Sequence, residues 1–235
     1  MTRRFFLPAL LALPLLGAAQ QHSGVSRKVN DLYNNESLLP VDNNSLHGSP
    51  FLMTGWQPAT VQLIGNAAPT AATLRYDVFR QELRVLRPQG DSVVVPFSRI
   101  TEFTFTSPRR RFVRYPAAQL PTEVKDACAE VLADESQLQL LKFWSKAVVK
   151  QTIGGGSYAA ANTADVLEES SRYYLRWPAD GHLTAVRLKR SSLEQALAGQ
   201  PAALAALKAR KGSLGSEADM VAAVQALAPT ITPSH

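Results

Sequence analysis

The sequence is poor in the residues that build disulfides and metal sites. It has a single cysteine, Cys128, and only four histidines, at His22, His47, His182 and His235. One cysteine excludes an intramolecular disulfide and a zinc site made of several thiolates. The histidines are scattered, and no His-Glu-x-x-His or comparable ligand spacing occurs. The sequence therefore predicts no metal site, and it contains no motif that indicates a cofactor.

Long apolar runs are scarce as well, and the longest one lies near the N-terminus. Arg3 and Arg4 precede 13 apolar residues, Phe5–Gly17, and small residues lead up to Ala19. This run is shorter than the roughly 20 residues that a membrane-spanning helix needs. This order of basic residues, an apolar run and small residues predicts a secretory signal peptide over residues 1–19, cleaved between Ala19 and Gln20. We expect export to the periplasm, the cell surface or the medium, with no transmembrane segment in the mature chain.

Acidic residues are outnumbered, and the formal net charge is +6. Without Arg3 and Arg4 the mature chain would carry +4. An exported protein does not normally meet nucleic acid, so we expect no nucleic-acid partner. The charge favours instead an anionic component of the envelope, such as an anionic glycan or a lipid headgroup, or a protein partner.

The basic residues are concentrated in one stretch. Between residues 75 and 114 there are nine arginines against four carboxylates. Several arginines alternate with apolar residues, which would align them on one face of a sheet as an anion-binding surface. The candidate contacts are Arg109, Arg110 and Arg111. The alternative is an ordinary solvated sheet face with cross-strand ion pairs.

No catalytic constellation stands out. Gly155-Gly156-Ser157-Tyr158-Ala159 is close to the G-x-S-x-G nucleophile motif, but it lacks the last glycine and the surrounding strand–turn–helix pattern. Cys128 has carboxylates nearby, which disfavour the reactive thiolate. The acidic cluster over residues 123–135 is typical of a solvated charge run. The sequence therefore predicts no catalytic residues, and a hydrolase using Ser157 or the acidic cluster is the weakest hypothesis.

Alternation of apolar and polar residues dominates the middle of the chain. Between Thr60 and Tyr115 apolar residues recur at every second position, and turn signals separate the runs. This period is typical of antiparallel strands with one polar face. Residues 123–133 also fit a helix, but aromatic and β-branched residues downstream favour a hairpin of strands at 127–132 and 137–149.

In the last third of the chain the predicted structure changes from a loop to a hairpin and then to helices. Residues 151–170 are rich in glycine, alanine, serine and asparagine and predict a loop. A hairpin over residues 172–188 would turn at Pro178–Gly181, because Asp-Gly is a strong turn signal. From Ser191 the apolar spacing becomes helical, and Ser216 caps the last helix. The predicted fold is α+β: mainly an antiparallel β meander of about eight to ten strands, with two or three C-terminal α-helices.

The predicted organisation is one folded unit with simple flanking segments, and the alternative is a division into two units near residue 116. A polar flexible leader over residues 20–48 follows the signal peptide. The antiparallel β-rich domain spans residues 49–190, and the helices of residues 191–228 pack on it. Residues 229–235 are predicted to form a disordered tail.

Several segments, taken together, are similar to those of a known protein family. They are Gly48-Ser49-Pro50-Phe51-Leu52, Trp56, Val61-x-Leu63, Leu74-Arg75-Tyr76-Asp77-Val78-Phe79, Ile100-Thr101-Glu102-Phe103, Tyr173-Tyr174-Leu175 and 186–193. Through them the chain resembles, over most of residues 48–228, a family of uncharacterised exported proteins from Bacteroidota. The resemblance implies strands at 127–149 and two terminal helices. It implies no site residue, because no activity is assigned to that family. The chain departs from the family's Lys/Asn-rich pattern by being richer in alanine, arginine and proline.

Three functional hypotheses follow from these patterns. The first is an exported, non-enzymatic binding or interaction module whose contact surface is the arginine-rich sheet. The alternative is a periplasmic carrier that holds a lipid or another hydrophobic ligand in the groove of a curved sheet. The third is a secreted hydrolase.

Overall fold

A computed structural model describes residues 46–122, 124, 128–153 and 162–232 of the chain. The predicted signal peptide with Ala19 and Gln20, nearly all of the predicted leader, and the Ser157 motif lie outside these residues. Strands account for 45% of the structure, and three helices follow them, which confirms the α+β class. Within the described ranges no helix is both long and apolar enough to cross a membrane.

The described residues form one sheet of eleven strands. The strands are β1 (Leu46–His47), β2 (Gln57–Leu63), β3 (Thr70–Asp77), β4 (Glu82–Leu86), β5 (Ser92–Val95), β6 (Ile100–Thr106), β7 (Arg109–Arg114), β8 (Cys128–Asp134), β9 (Gln139–Ile153), β10 (Asn162–Arg176) and β11 (Leu183–Val186). The helices are α1 (Arg190–Ala196), α2 (Pro201–Ala209) and α3 (Glu217–Leu227). The strand order is β1-β10-β9-β8-β7-β6-β2-β3-β4-β5, and β11 pairs with β10.

The expectation of a simple meander is wrong at two places. Strand β6 pairs with β2 instead of its predecessor β5, and the short β1 runs parallel to β10. Only residues 96–99 connect β5 to β6, and Phe97–Arg99 form a 3-10 turn. In a flat sheet these two strands would lie four spacings apart, about 19 Å. A turn that rises about 2 Å per residue cannot span that distance, so β2–β5 curl until β5 approaches β6.

The inner face of the curl is filled by aromatic rings. Tyr76, Phe103, Phe105 and Phe112 are at most 1% exposed. Phe103 and Phe112 stack with centroids 4.8 Å apart, and Tyr76 meets both rings edge to face. Alternation in β6 places its two phenylalanines on the same side, where they share one apolar cluster with Val93 and Val95 of β5. Aromatic burial therefore holds the two ends of the curl together.

The predicted hairpin at 127–149 is confirmed as the antiparallel pair β8–β9. Strands β9 and β10 are 15 residues long and pair along their whole lengths. The loop predicted for residues 151–170 is therefore wrong for residues 151–153, which belong to β9, and for residues 162–170, which belong to β10. Val166 and Leu167 lie opposite Val149 and Val148, so cross-strand apolar pairs maintain the ladder despite the small and polar composition.

The predicted second hairpin and the C-terminal helices are also confirmed. Strands β10 and β11 pair antiparallel, and Trp177 closes the turn between them by accepting a hydrogen bond from the Gly181 amide. Ser216 caps α3 by accepting a hydrogen bond from the Asp219 amide at 3.1 Å. The helices bury Leu193, Leu207 and Val224 in a second core against the sheet. Residues 228–230 add a 3-10 turn, and Ile231 is buried after it, so the first residues of the predicted tail are ordered.

Candidate functional site

The three predicted contact arginines do not form a common surface. Arg110 lies opposite Phe105 on the inner side of β7. Its guanidinium donates two hydrogen bonds to the Glu130 carboxylate, at 2.6 and 2.7 Å. Arg111 points to the other side and pairs with Glu102 and Asp134. Arg109 is exposed and makes no ion pair with any described residue.

Other arginines of the segment are also used within the chain. Arg80 pairs at 3.1 Å with Asp77, a fully buried carboxylate that also accepts hydrogen bonds from two backbone amides. Arg87 pairs with Asp91 across a turn. Several arginines of the predicted surface are therefore used in ion pairs within the chain. The alternative interpretation expected ion pairs, but it expected them across a solvated sheet face, whereas the Arg80 and Arg87 pairs lie in turns.

One arginine pair differs from the rest. Arg75 on β3 and Arg84 on β4 lie directly opposite each other. Their N–H groups have no hydrogen-bond acceptor in the described part of the chain, and both Nε atoms are shielded from solvent. The nearest carboxylate oxygen, on Glu82, lies 3.9 Å from Arg84 Nη2, beyond hydrogen-bond distance. Like charges directly opposite on neighbouring strands are destabilising, so this pair costs stability.

Aromatic rings border the pair. The Arg75 guanidinium carbon lies 3.6 Å from the centroid of Phe51 and 5.6 Å from that of Trp56. Arg84 lies 6.0 Å from Phe51. Burial, and next the facing Arg84, lower the pKa of Arg75. These four residues, Phe51, Trp56, Arg75 and Arg84, are called the Arg75–Arg84 face below.

The main chain fixes Phe51 over the arginines. Phe51 forms an isolated bridge with Asp77, and the Leu52 amide donates to the Tyr76 carbonyl at 2.9 Å. Strand alternation could predict that Arg75 and Arg84 are outward-facing. It could not predict that they are directly opposite, because this register depends on the turn between β3 and β4.

A second charged cluster borders the aromatic core and the core under the helices: Trp144 packs against the first and Tyr173 against the second. Glu130, Lys142 and Tyr173 occupy one row across β8, β9 and β10. Lys142 Nζ contacts Glu217 Oε2 of α3 at 2.5 Å, and the Tyr173 hydroxyl donates to the same oxygen at 2.9 Å. Trp144 donates its indole N–H to Glu130 at 2.6 Å. With Arg110, the two carboxylates face two cations, so the row is electrically balanced. Glu130 and Lys142 are buried, whereas the Glu217 side chain is 38% exposed. We call this cluster the buried ionic row.

The buried ionic row predicts a specific pH dependence. Burial opposes ionisation of Glu217, but hydrogen bonds from Lys142 and Tyr173 outweigh it and lower the pKa of Glu217. A carboxyl with a lowered folded-state pKa stabilises the fold above its unfolded pKa, and this stabilisation is lost as pH falls through the folded value. We expect stability to decrease below about pH 4, and less steeply in Glu217→Gln. Urea unfolding at pH 7 and pH 3 measures this.

The control for this prediction is Glu168→Gln, which removes an exposed carboxyl of β10. That variant should keep the pH dependence of the unmodified protein. A Glu217→Gln variant with the same dependence would contradict the assigned role of Glu217.

The residues considered for catalysis are not assembled. Within the described ranges no group of three or more His, Cys, Asp or Glu residues is arranged to hold a metal ion. Cys128 is fully buried. From the acidic cluster, Glu130 and Asp134 are engaged with arginines, while Glu123 and Asp126 lie outside the described residues.

Comparison with known proteins adds no relative. No family model matches this chain. No curated protein and no solved structure is significantly similar to it. The chemistry of the Arg75–Arg84 face is therefore the strongest basis for a function.

Proposed function

We propose that the protein is an exported, non-enzymatic binding module that holds an anionic group on the Arg75–Arg84 face. The observation that carries this proposal is the pair of arginines at directly opposite positions of β3 and β4, whose buried Nε atoms have no hydrogen-bond acceptor in the described residues. An anion beside the two arginines would accept hydrogen bonds from their Nη–H groups, which are not among the shielded atoms, and would reduce their mutual repulsion. Export is supported by the pattern of residues 1–19 and by the resemblance to exported proteins of Bacteroidota.

The neighbouring rings favour a particular ligand chemistry. Arginine recognises carboxylate and sulfate groups through two parallel hydrogen bonds. Trp56 and Phe51 offer apolar ring surface next to these groups, where the C–H face of a sugar would lie. We therefore propose an anionic glycan as the ligand class, with a lipid headgroup as the alternative source of the anion.

The carrier hypothesis receives less support. A carrier needs an apolar groove on the concave side of the curved sheet. In the curl of β2–β6 that side is occupied by buried rings of Tyr76, Phe103 and Phe105. No observation within the described residues favours the hydrolase hypothesis.

The binding test uses Arg84→Gln and polygalacturonate, a glycan that carries one carboxylate per sugar. Loss of charge-assisted hydrogen bonds worth about 1.5–3 kcal/mol should weaken binding by roughly 10-fold or more. The same variant should be more stable by up to about 1 kcal/mol, because it removes a like-charge pair. Titration calorimetry and urea unfolding measure the two effects. A residue with only a structural role would not weaken binding while raising stability.

Arg109→Gln is the matched control. It removes one exposed positive charge that makes no ion pair with a described residue, so it reports general electrostatic attraction. Its affinity for polygalacturonate should stay within about two-fold of the unmodified protein, since surface charges contribute little individually. Equal losses in both variants, or no binding of polygalacturonate or of anionic lipid vesicles, would refute the proposal.

A further inference from the structure

Strand β10 has one occupied edge and one partly open edge. Strand β9 pairs with β10 along all 15 residues on one side. On the other side, β1 pairs with Asp165 and Val166, and β11 pairs with Tyr173–Arg176. Gly48 lies against Leu167, so closely that a Cβ at Gly48 would be 3.5 Å from the Leu167 carbonyl oxygen. On this second edge, residues 168–172 have no strand partner in the described part of the chain, and we call them the open strip.

The open strip lies at the bottom of a recess. Because β1 and β11 flank it, the sheet extends one strand further at both ends than in the middle, by about 4.8 Å. The strip is about 17 Å long, the length of a five-residue strand. After Val186 the chain turns away from β10, and the Lys189 amide donates to the Arg187 carbonyl at 2.7 Å. This turn opens a cleft of about 1090 Å³ between β10, residues 185–189 and α1.

The cleft is basic. Arg172, Arg187 and Lys189 line it, and no carboxylate does. None of the three makes an ion pair with a residue of the described ranges. The acidic residues at the far end of the strip are Glu168 and Glu169, and Glu169 pairs with Lys146 at 3.3 Å. Among the described residues, the unpaired edge of the open strip therefore lies beside three positive charges that have no ion-pair partner.

We propose that an extended acidic segment of a partner protein binds here by adding a strand to β10. Main-chain hydrogen bonds to the open strip would supply affinity independently of sequence, as in other cases of strand addition. Carboxylates of the segment would meet Arg172, Arg187 and Lys189 and would supply specificity. This site is separate from the Arg75–Arg84 face, so either proposal can fail without the other.

The shape of the recess favours a single extended chain over a second copy of the protein. Each copy carries its own projecting β1 and β11 at the two ends of its open strip. Two such edges brought together would collide at these strands before their strips came within hydrogen-bonding distance. A lone segment has no flanking strands, so it can enter.

The test measures amide hydrogen exchange with a pool of seven-residue peptides, each with glutamate at alternate positions and uncharged residues between them. The peptides should slow exchange in the open strip by at least ten-fold. A matched pool carries N-methyl groups on every residue, which preserves its charge but removes the N–H donors along both edges. This second pool should give no protection. Equal protection by both pools, protection only outside residues 167–176, or no protection by either pool would refute strand addition.

Charge variants provide an independent readout. In Arg187→Glu/Lys189→Glu the affinity for the first pool should fall at least ten-fold. The control Lys208→Glu/Lys211→Glu reverses two exposed charges, one in α2 and one just after its end. This variant should bind the first pool as tightly as the unmodified protein. Both proteins must show the same far-ultraviolet circular dichroism as the unmodified protein. Equal losses in the two variants would refute the assigned role of the cleft. Concentration-dependent protection of the strip without peptide would mean that a second copy occupies it and would also refute the proposal.

Discussion

Replacing Glu130 with alanine is expected to lower the free energy of unfolding by about 3–5 kcal/mol, the usual cost of breaking a buried ion pair from one side. Glu130 is only 6% exposed and accepts two hydrogen bonds from Arg110 and one from Trp144. Its removal leaves the Arg110 guanidinium without a counter-ion in a half-buried position. Urea unfolding followed by circular dichroism measures the effect.

The double variant Arg110→Met/Glu130→Leu separates loss of the pair from loss of one partner. Replacing both charges with apolar residues of similar size is often nearly neutral, so this variant should recover most of the stability. Glu168→Ala, at an exposed position of β10, should change stability by less than about 0.5 kcal/mol. A double variant as unstable as Glu130→Ala would contradict our account of the buried ionic row.

Replacing Phe112 with alanine is expected to cost about 3–5 kcal/mol, as for other large aromatic side chains removed from cores. Phe112 is 0% exposed, stacks on Phe103 and meets Tyr76 and Phe105 edge to face. Its removal opens a cavity in the core that holds the curl of β2–β6 against β7. Urea unfolding of the variant measures the loss.

Phe79→Ala provides the comparison for this second prediction. Phe79 lies half-buried in the turn between β3 and β4 and belongs to no buried cluster. Its loss should therefore be clearly smaller than that of Phe112→Ala. If both variants lost less than about 1 kcal/mol, the aromatic cluster would not be the main support of the curl.

Local sequence patterns predicted most of the elements but not their arrangement. The two downstream hairpins and the three helices follow from alternation, Asp-Gly turn chemistry and the Ser216 cap. The pairing of β6 with β2 does not, because alternation identifies a strand without indicating its neighbour. It arises from the short connection of residues 96–99 and from aromatic burial, which are properties of the whole core. Strand β10 was partly missed because its apolar residues are separated by serines and glutamates.

The candidate sites were even less accessible from sequence. The arginine-rich stretch was evident, but its carboxylate partners come from distant positions, such as Glu130, 20 residues from Arg110. The register between β3 and β4 decides that Arg75 faces Arg84 and not a carboxylate. Likewise, the open strip exists because β1 and β11 stop short of each other along β10, which no local pattern encodes.

The most direct measurement of the central claim observes the arginine side chains themselves. Nitrogen-15 resonances of the Nε–H groups of Arg75, Arg84 and Arg109, assigned with single Arg→Lys variants, would be followed during titration with trigalacturonate. Our account predicts that Arg75 and Arg84 shift together and saturate at one equivalent, while Arg109 stays unchanged. If Arg109 shifted as far as the other two, or if no Nε–H resonance moved, the Arg75–Arg84 face would not be the anion site.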